Sequence, residues 1–158
     1  MSAASATNSY LIYSVVSGAT MASIFYSYSS ASIGAAFWIT ALTFFIMYLY
    51  GTNTGTDLTK AGNVSMMVLV GIIVASIFNI FFNLSLVNTL ISIASVIVFA
   101  ILIARDTQNI GAMANFGQFY KTSTKKKLEI VGALSLYLDV INIFYALLNL
   151  TSSNNNDN

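Results

Sequence analysis

Cysteine, histidine and proline are absent from this sequence of 158 residues. The first two absences exclude disulfide frameworks, thiolate or imidazole metal sites, and Ser-His or Cys-His catalytic arrangements. The lack of proline means that any bend in a helix must fall at glycine or at a polar residue. Chemistry in this chain must therefore come from carboxylates, amides or hydroxyls.

Charged residues are also scarce. They make up 7% of the chain, whereas 57% of the residues are apolar, and a soluble domain usually carries about 25% charged residues. Residues 1–56 and 61–104 contain no charge, and uncharged apolar stretches of that length are typical of membrane spans. A net charge of +1 without a basic face excludes a nucleic-acid partner. The lipid bilayer is the expected partner.

The apolar runs predict an all-α fold, a multi-pass transmembrane bundle of five helices. Because a span needs about 20 mostly apolar residues, the predicted helices are 10–29, 31–50, 64–83, 86–105 and 128–150. Together they form one integral membrane domain over residues 1–150, and the Asn-rich stretch 151–158 is predicted to be a disordered polar tail. The N-terminus lacks a basic leader region, so we expect the first apolar segment to remain in the mature protein.

The basic residues predict the orientation of the bundle. Two helices separate the polar loops 51–63 and 106–127, so both loops fall on one side, and all six basic residues lie in or beside them. The positive-inside rule then places this side and the N-terminus in the cytoplasm and the tail outside, in the cell membrane, which is the inner or plasma membrane of a bacterium. The lysines interpreted as topology determinants, in preference to a lipid-binding or partner site, are Lys121, Lys125, Lys126 and Lys127.

Small residues spaced four apart allow the backbones of neighbouring helices to approach closely. Gly18 with Ala22 and Gly71 with Ala75 have this spacing. We expect such pairs to serve packing within the chain, with dimerisation as the alternative.

Two acidic residues fall where the membrane is expected. An ionisable group within a span costs at least about 2.5 to 3.5 kcal/mol on insertion scales, so it calls for a partner or a function. Asp139 lies near the middle of the predicted fifth helix, and Asn142 shares its face. Asp106 closes the predicted fourth helix, which runs antiparallel to the fifth, so we expect the two carboxylates to meet. The alternatives are a solvated pair with Arg105 for Asp106, and a protonated Asp139 bonded to Asn142 or a backbone carbonyl.

Four segments resemble the Bax inhibitor-1 family in order and spacing: SGATMASIF at 17–25, SIGAAFWIT at 32–40, RDTQ at 105–108 and GALSLYLDVINIF at 132–144. The resemblance covers about residues 10–150. It implies a multi-pass helical membrane protein with a central last helix, associated with calcium leak and, in eukaryotic members, with suppression of cell death. The family's paired aspartates map onto Asp106 and Asp139, a candidate site for sensing protons and passing calcium. The supporting candidates are Arg105, Gln108 and Asn142.

The sequence also departs from the family pattern. The family has seven helices and this chain resembles the last five, so a basic residue on the second helix has no counterpart here. Arg105 stands where the family usually has an aromatic residue, and we hypothesise that it replaces the lost cation. We expect an open groove where two helices would pack, filled by lipid, by a second copy in a homo-oligomer or by partner helices.

The leading hypothesis for function is a pH-sensitive calcium or cation leak. Two close carboxylates in a poorly hydrated site cannot both ionise easily, so we expect them to share a proton, and carboxylate oxygens suit a hard divalent cation. The alternatives are a non-transporting membrane regulator and an inactive truncated fragment. An intramembrane aspartyl protease is a remote alternative, because the Gly-x-Gly-Asp and Pro-Ala-Leu elements are absent. We expect the protein to have no enzymatic activity and no cofactor, with calcium as the transported ion.

Overall fold

The computed structural model of the chain describes residues 3–116 and 122–153, which are helical apart from short connections. Among these residues, four helices are long and apolar enough to cross a membrane, one fewer than the five spans that the apolar runs predict. This confirms the all-α, multi-pass membrane architecture. The elements are α1 (Ala3–Ala22), α2 (Ile24–Ser27), α3 (Ser30–Asn53), α4 (Thr59–Phe82), α5 (Ser85–Phe116) and α6 (Thr122–Ser153).

The bounds predicted for the first span, 10–29, are wrong. Helix α1 begins earlier and ends at Ala22, and α2 forms a single turn beyond the break. The hydroxyl of Ser23 donates to the carbonyl oxygen of Thr20 at 2.8 Å, and such local bonds compete with the helical backbone pattern. Ser29 then starts α3, because its hydroxyl accepts from the backbone N–H of Ser32 at 3.1 Å. Helix α1 is not among the four helices that meet the length and composition of a span.

The last two helices are longer than predicted, and most of the predicted loop 106–127 is helical. Asp106 therefore lies inside α5, with almost three turns of helix after it, and the solvated pair at a helix end is wrong. Thr151–Ser153 continue α6 instead of beginning the polar tail. The rest of that tail, 154–158, lies outside the described residues, as does Lys121.

Helices α5 and α6 form the centre of the bundle. They pack against each other, α3 packs against both, α4 packs against α5, and α1 packs against α6. In the last contact, the rings of Tyr10 and Tyr13 meet the ring of Tyr137 edge-on, with centroids 6.5 and 6.1 Å apart. The buried apolar core comes mostly from α5 and α6, and its members there are Val98, Phe99, Leu102, Ile103, Ile143, Phe144, Leu147 and Leu148.

Glycines let two helices approach α5 closely. A Cβ at Gly51 of α3 would collide with the backbone of Ala104, and one at Gly62 of α4 would collide with the side chain of Arg105. The glycines with the predicted packing spacing behave differently, since a Cβ at Gly18 or Gly71 would meet no atom of another helix within 4 Å. Their predicted role in packing within the chain is therefore wrong over the residues that the structure describes.

Candidate functional site

The two predicted aspartates lie in one cavity. Asp106 on α5 is 8% exposed and Asp139 on α6 is 5% exposed. Both line a cavity of about 650 Å³ whose walls are α4, α5 and α6. The structure therefore places in one cavity the two acids that we paired from the sequence, one from each central helix.

Both carboxylate oxygens of Asp106 have partners. Its Oδ1 lies 3.0 Å from Nη1 of Arg105, and its Oδ2 accepts a hydrogen bond from the hydroxyl of Ser135 on α6. Burial of a charged group is tolerated when it is paired and hydrogen-bonded in this way. Asp106 is thus held in place from its own helix and from the neighbouring one.

Asp139 has a different environment. Its Oδ2 is buried and has no hydrogen-bond partner among the described residues. The side chain of Asn142 donates to the carbonyl oxygen of Leu138 at 2.7 Å, so the alternative in which Asp139 bonds to Asn142 is wrong. A buried polar atom without a partner is costly in a folded protein. Asp139 therefore offers an oxygen to a proton or a cation in the cavity.

Polar side chains continue along the cavity from the two aspartates. Ser135 and Asp139 are one helical turn apart and share a face of α6, and α4 contributes Ser76 to an otherwise apolar wall. The further polar members of the lining are Asn88, Ser92, Ser95 and Arg105 on α5 and Asn142 and Asn149 on α6. Polar side chains are therefore spaced along a mostly apolar groove that follows the two central helices.

The side chain of Arg105, on α5, lies across the start of α4. The side chain of Arg105 passes over Gly62, where a Cβ would leave it no room. The guanidinium Nη1 pairs with Asp106, while Nε is buried and has no partner in the described part of the chain. Arg105 thus places a positive charge at the same end of the cavity as both acids.

Gln108 lies outside the cavity lining and binds a loop. Its Oε1 accepts from the backbone N–H of Leu58 at 3.0 Å, and its Nε2 donates to the carbonyl oxygen of Thr56 at 2.9 Å. The amide side chain thus pairs with the backbone of the connection between α3 and α4. Gln108, a supporting candidate from the sequence, is therefore not part of the cavity that holds the two aspartates.

The lysines interpreted as topology determinants lie at one end of the bundle where they are described. Lys125 and Lys126 are exposed and Lys127 is partly buried, all near the start of α6. Lys60 is exposed on the first turn of α4, at the connection that Gln108 holds. The side of the membrane on which this end lies stays a prediction.

Sequence reasoning missed Ser135 and Gly62. Ser135 is the residue one turn before Asp139, so its position on the same helical face was readable from the sequence. Its bond to Asp106 was not, because serine is common in membrane helices and its partner is on another helix. Gly62 fell in a predicted loop, where a glycine gives no packing signal.

The described residues contain no group of three or more His, Cys, Asp or Glu side chains that would hold a metal ion. The oxygen donors at the acidic end are the carboxylates of Asp106 and Asp139 and the hydroxyl of Ser135. Calcium usually takes 6–8 oxygen ligands.

A bundle of membrane-spanning helices with two buried acids on its central pair defines a polytopic membrane protein. The family model described as "Inhibitor of apoptosis-promoting Bax1" matches residues 1–156. The chain belongs to the Bax inhibitor-1 family.

Relatives support the same class. The chain is 45% identical over 157 residues to an uncharacterized protein of Borreliella burgdorferi, covering 99% of this chain and 67% of the relative. It is 40% identical over 150 residues to the inner membrane protein YbhL of Escherichia coli, covering 95% and 64%. An uncharacterized membrane protein of Streptococcus pyogenes is 35% identical over 147 residues, with 92% and 62% covered. The chain thus spans about two thirds of the length of these relatives.

Proposed function

We propose that this chain forms a pH-sensitive cation leak, with calcium as the preferred ion and Asp106 and Asp139 as the pair that binds it. The observation that carries the proposal is the carboxylate of Asp139. It is buried in a membrane-spanning helix, it has an oxygen without a partner among the described residues, and it shares a cavity with Asp106. Acids at membrane depth commonly mark ion or proton pathways.

The length of the cavity supports a pathway. At about 1.5 Å per residue, Asn88 and Asp106 are about 27 Å apart along α5, and both line the cavity. The hydrocarbon core of a bilayer is about 30 Å thick. Polar side chains spaced along this distance offer a cation several oxygen ligands within a mostly apolar groove.

The pairing of the two acids supports sensitivity to pH. Both carboxylates line the same cavity, and Asp139 has an oxygen without a partner among the described residues. A proton and a cation then compete for the same oxygens. Arg105 places a positive charge beside this pair through its ion pair with Asp106.

The open side of the cavity requires a cover. Helix α4 packs on α5 but not extensively on α6 in the described part of the chain, so the groove opens between α4 and α6. Polar groups exposed to hydrocarbon are unfavourable. We propose that lipid headgroups, a second copy or further helices cover this opening, and the greater length of the relatives leaves room for such helices.

We also propose the cell membrane as the location, with the connection between α3 and α4 in the cytoplasm. The E. coli relative is named an inner membrane protein, and the positive-inside rule gives the orientation. Cysteines introduced singly at Thr56 and Ser153 test it in intact cells. Reaction of the cysteine at Thr56 with an impermeant reagent from outside contradicts the orientation.

Calcium flux into dye-loaded liposomes tests the function. We expect the parent protein to conduct with a rate that changes between about pH 5 and 8, a range suited to a buried carboxylate pair, and Asp139→Asn to lose that change. Asp57→Asn is the control. The pKa of Asp57 lies below its usual value, because its carboxylate accepts hydrogen bonds from the side chain and the backbone of Thr59, so Asp57 stays ionised over this range. A parent without flux, or Asp139→Asn with the parent's pH response, contradicts the proposal.

A further inference from the structure

Side-chain hydrogen bonds join α5 to α6 at two places in the described part of the chain. One is the bond from Ser135 to Asp106. The other joins Nδ2 of Asn88 to Oδ1 of Asn149 at 3.3 Å. All four residues line the cavity, and the two bonds lie at its opposite ends, because α5 and α6 run antiparallel.

We propose that the amide pair Asn88–Asn149 is the gate of the groove at the end remote from the aspartates. This inference rests on the proposed function, since it assigns the regulation of that pathway. The bond between two neutral amides is weaker than a bond to a carboxylate, which is charge-assisted. We therefore expect the exposed bond of the amide pair to open more readily than the bond between Ser135 and Asp106.

A second cavity adjoins the amide pair. It has a volume of about 500 Å³, lies between the end of α4 and the start of α5, and shares Asn88 and Ser76 with the groove. Its other polar members are Asn79, Asn83 and Ser85. The side chains around this cavity carry amide and hydroxyl groups without charge, which can replace part of the water around a cation.

We call the second cavity, with Asn79, Asn83, Ser85 and Asn88, the vestibule. Its shape depends on the turn between α4 and α5. Oδ1 of Asn79 accepts from the backbone N–H of Leu84 at 3.0 Å. Asn83 ends α4 in a left-handed conformation with φ 52°, which asparagine tolerates better than most residues. The turn between α4 and α5 thus holds its amides at the mouth of the groove, and Asn88 lies where the vestibule meets the groove.

The absence of cysteine allows a direct test of access. Ser92 lines the groove beyond the amide pair and is 4% exposed, so Ser92→Cys is the reporter. In liposomes, we expect a charged, water-soluble thiol reagent to label this cysteine several-fold faster in an Asn149→Ala background than in the parent background. Thr89→Ala is the matched control, because the Thr89 hydroxyl donates to the Ser85 carbonyl oxygen of its own helix. Equal labelling rates in all three backgrounds overturn the proposal.

A cross-link provides the opposite perturbation and does not depend on the folding of Asn149→Ala. Oxidation of Asn88→Cys with Asn149→Cys is expected to slow both the labelling of Ser92→Cys and the calcium flux, and a reductant is expected to restore them. Unchanged labelling after complete oxidation overturns the gate. Flux that is absent in every variant contradicts the proposed function, while the labelling rates still decide whether the amide pair controls access.

Discussion

The hydroxyl of Ser135 donates a hydrogen bond to Oδ2 of Asp106 and thereby joins the two central helices at the acidic end of the cavity. Arg105 holds the other oxygen of the same carboxylate. Asp139, one turn from Ser135, keeps an oxygen without a partner in the described residues. The two acids of the cavity are therefore held differently.

Ser135→Ala is expected to destabilise the protein. The substitution leaves a buried carboxylate oxygen without its donor, and such a loss costs about 1 to 3 kcal/mol. Thermal unfolding in mild detergent measures the effect. Ser76→Ala is the matched control, because Ser76 lines the same cavity but donates to the Ile72 carbonyl oxygen of its own helix. Equal unfolding temperatures for the two variants contradict a role for Ser135 in joining the helices.

Asp106→Asn and Asp139→Asn are expected to act on flux as one unit. Each substitution keeps the shape of the side chain but removes one carboxylate from the coupled pair, so each should abolish most of the pH response. The double variant should then add little to either single variant, because effects within a coupled pair are not additive. The measurement is liposome flux over the same pH range as above. A double variant whose loss equals the sum of the two single losses shows that the acids act independently.

The sequence was sufficient for the four apolar spans and for the pairing of Asp106 with Asp139. An uncharged run of span length has few structural alternatives, and an acid inside such a run is costly enough to be noticed. The continuation of α5 after Arg105 was harder to predict. Polar residues there resemble a loop by hydropathy, while the packing that supports the helix is tertiary, with Ile110 lying against Gly132.

The sequence also did not predict which helices pack against each other. The spacing of Gly18 and Gly71 suggested close packing, but the glycines that contact α5 are Gly51, Gly62 and Gly132. Spacing along one helix says only which residues share a face. It does not say which partner helix, if any, covers that face.

Gly51→Ala is expected to cost more stability than Gly62→Ala. The new methyl group at position 51 meets the backbone of Ala104, which cannot move without separating α3 from α5, whereas at position 62 it meets the flexible side chain of Arg105. Overpacking of a tight contact costs about 1 to 3 kcal/mol. Gly71→Ala is the control, because nothing from another helix lies within 4 Å of its added methyl group. Unfolding in detergent ranks the three variants, and a Gly51→Ala protein as stable as Gly71→Ala contradicts the observed packing.

Gln108→Leu is expected to release the connection between α3 and α4. The substitution removes both hydrogen bonds of the side-chain amide, one from Leu58 N–H and one to the Thr56 carbonyl oxygen. The start of α4 then opens more often, and trypsin reports this opening because Lys60 is exposed on the first turn of that helix. We expect cleavage after Lys60 to become several-fold faster in mild detergent.

The matched variant Gln108→Glu separates the two bonds. A glutamate still accepts from Leu58 N–H, but it cannot donate to the Thr56 carbonyl oxygen, so we expect a cleavage rate between those of the parent and Gln108→Leu. Cleavage after Lys125, Lys126 and Lys127 on α6 provides the internal reference, because these lysines are distant in sequence from the released connection. Faster cleavage at all of these sites indicates general unfolding, whereas an unchanged rate after Lys60 in Gln108→Leu shows that the amide does not hold the connection. Selective acceleration at Lys60 therefore identifies Gln108 as the residue that fixes α4 beside Arg105.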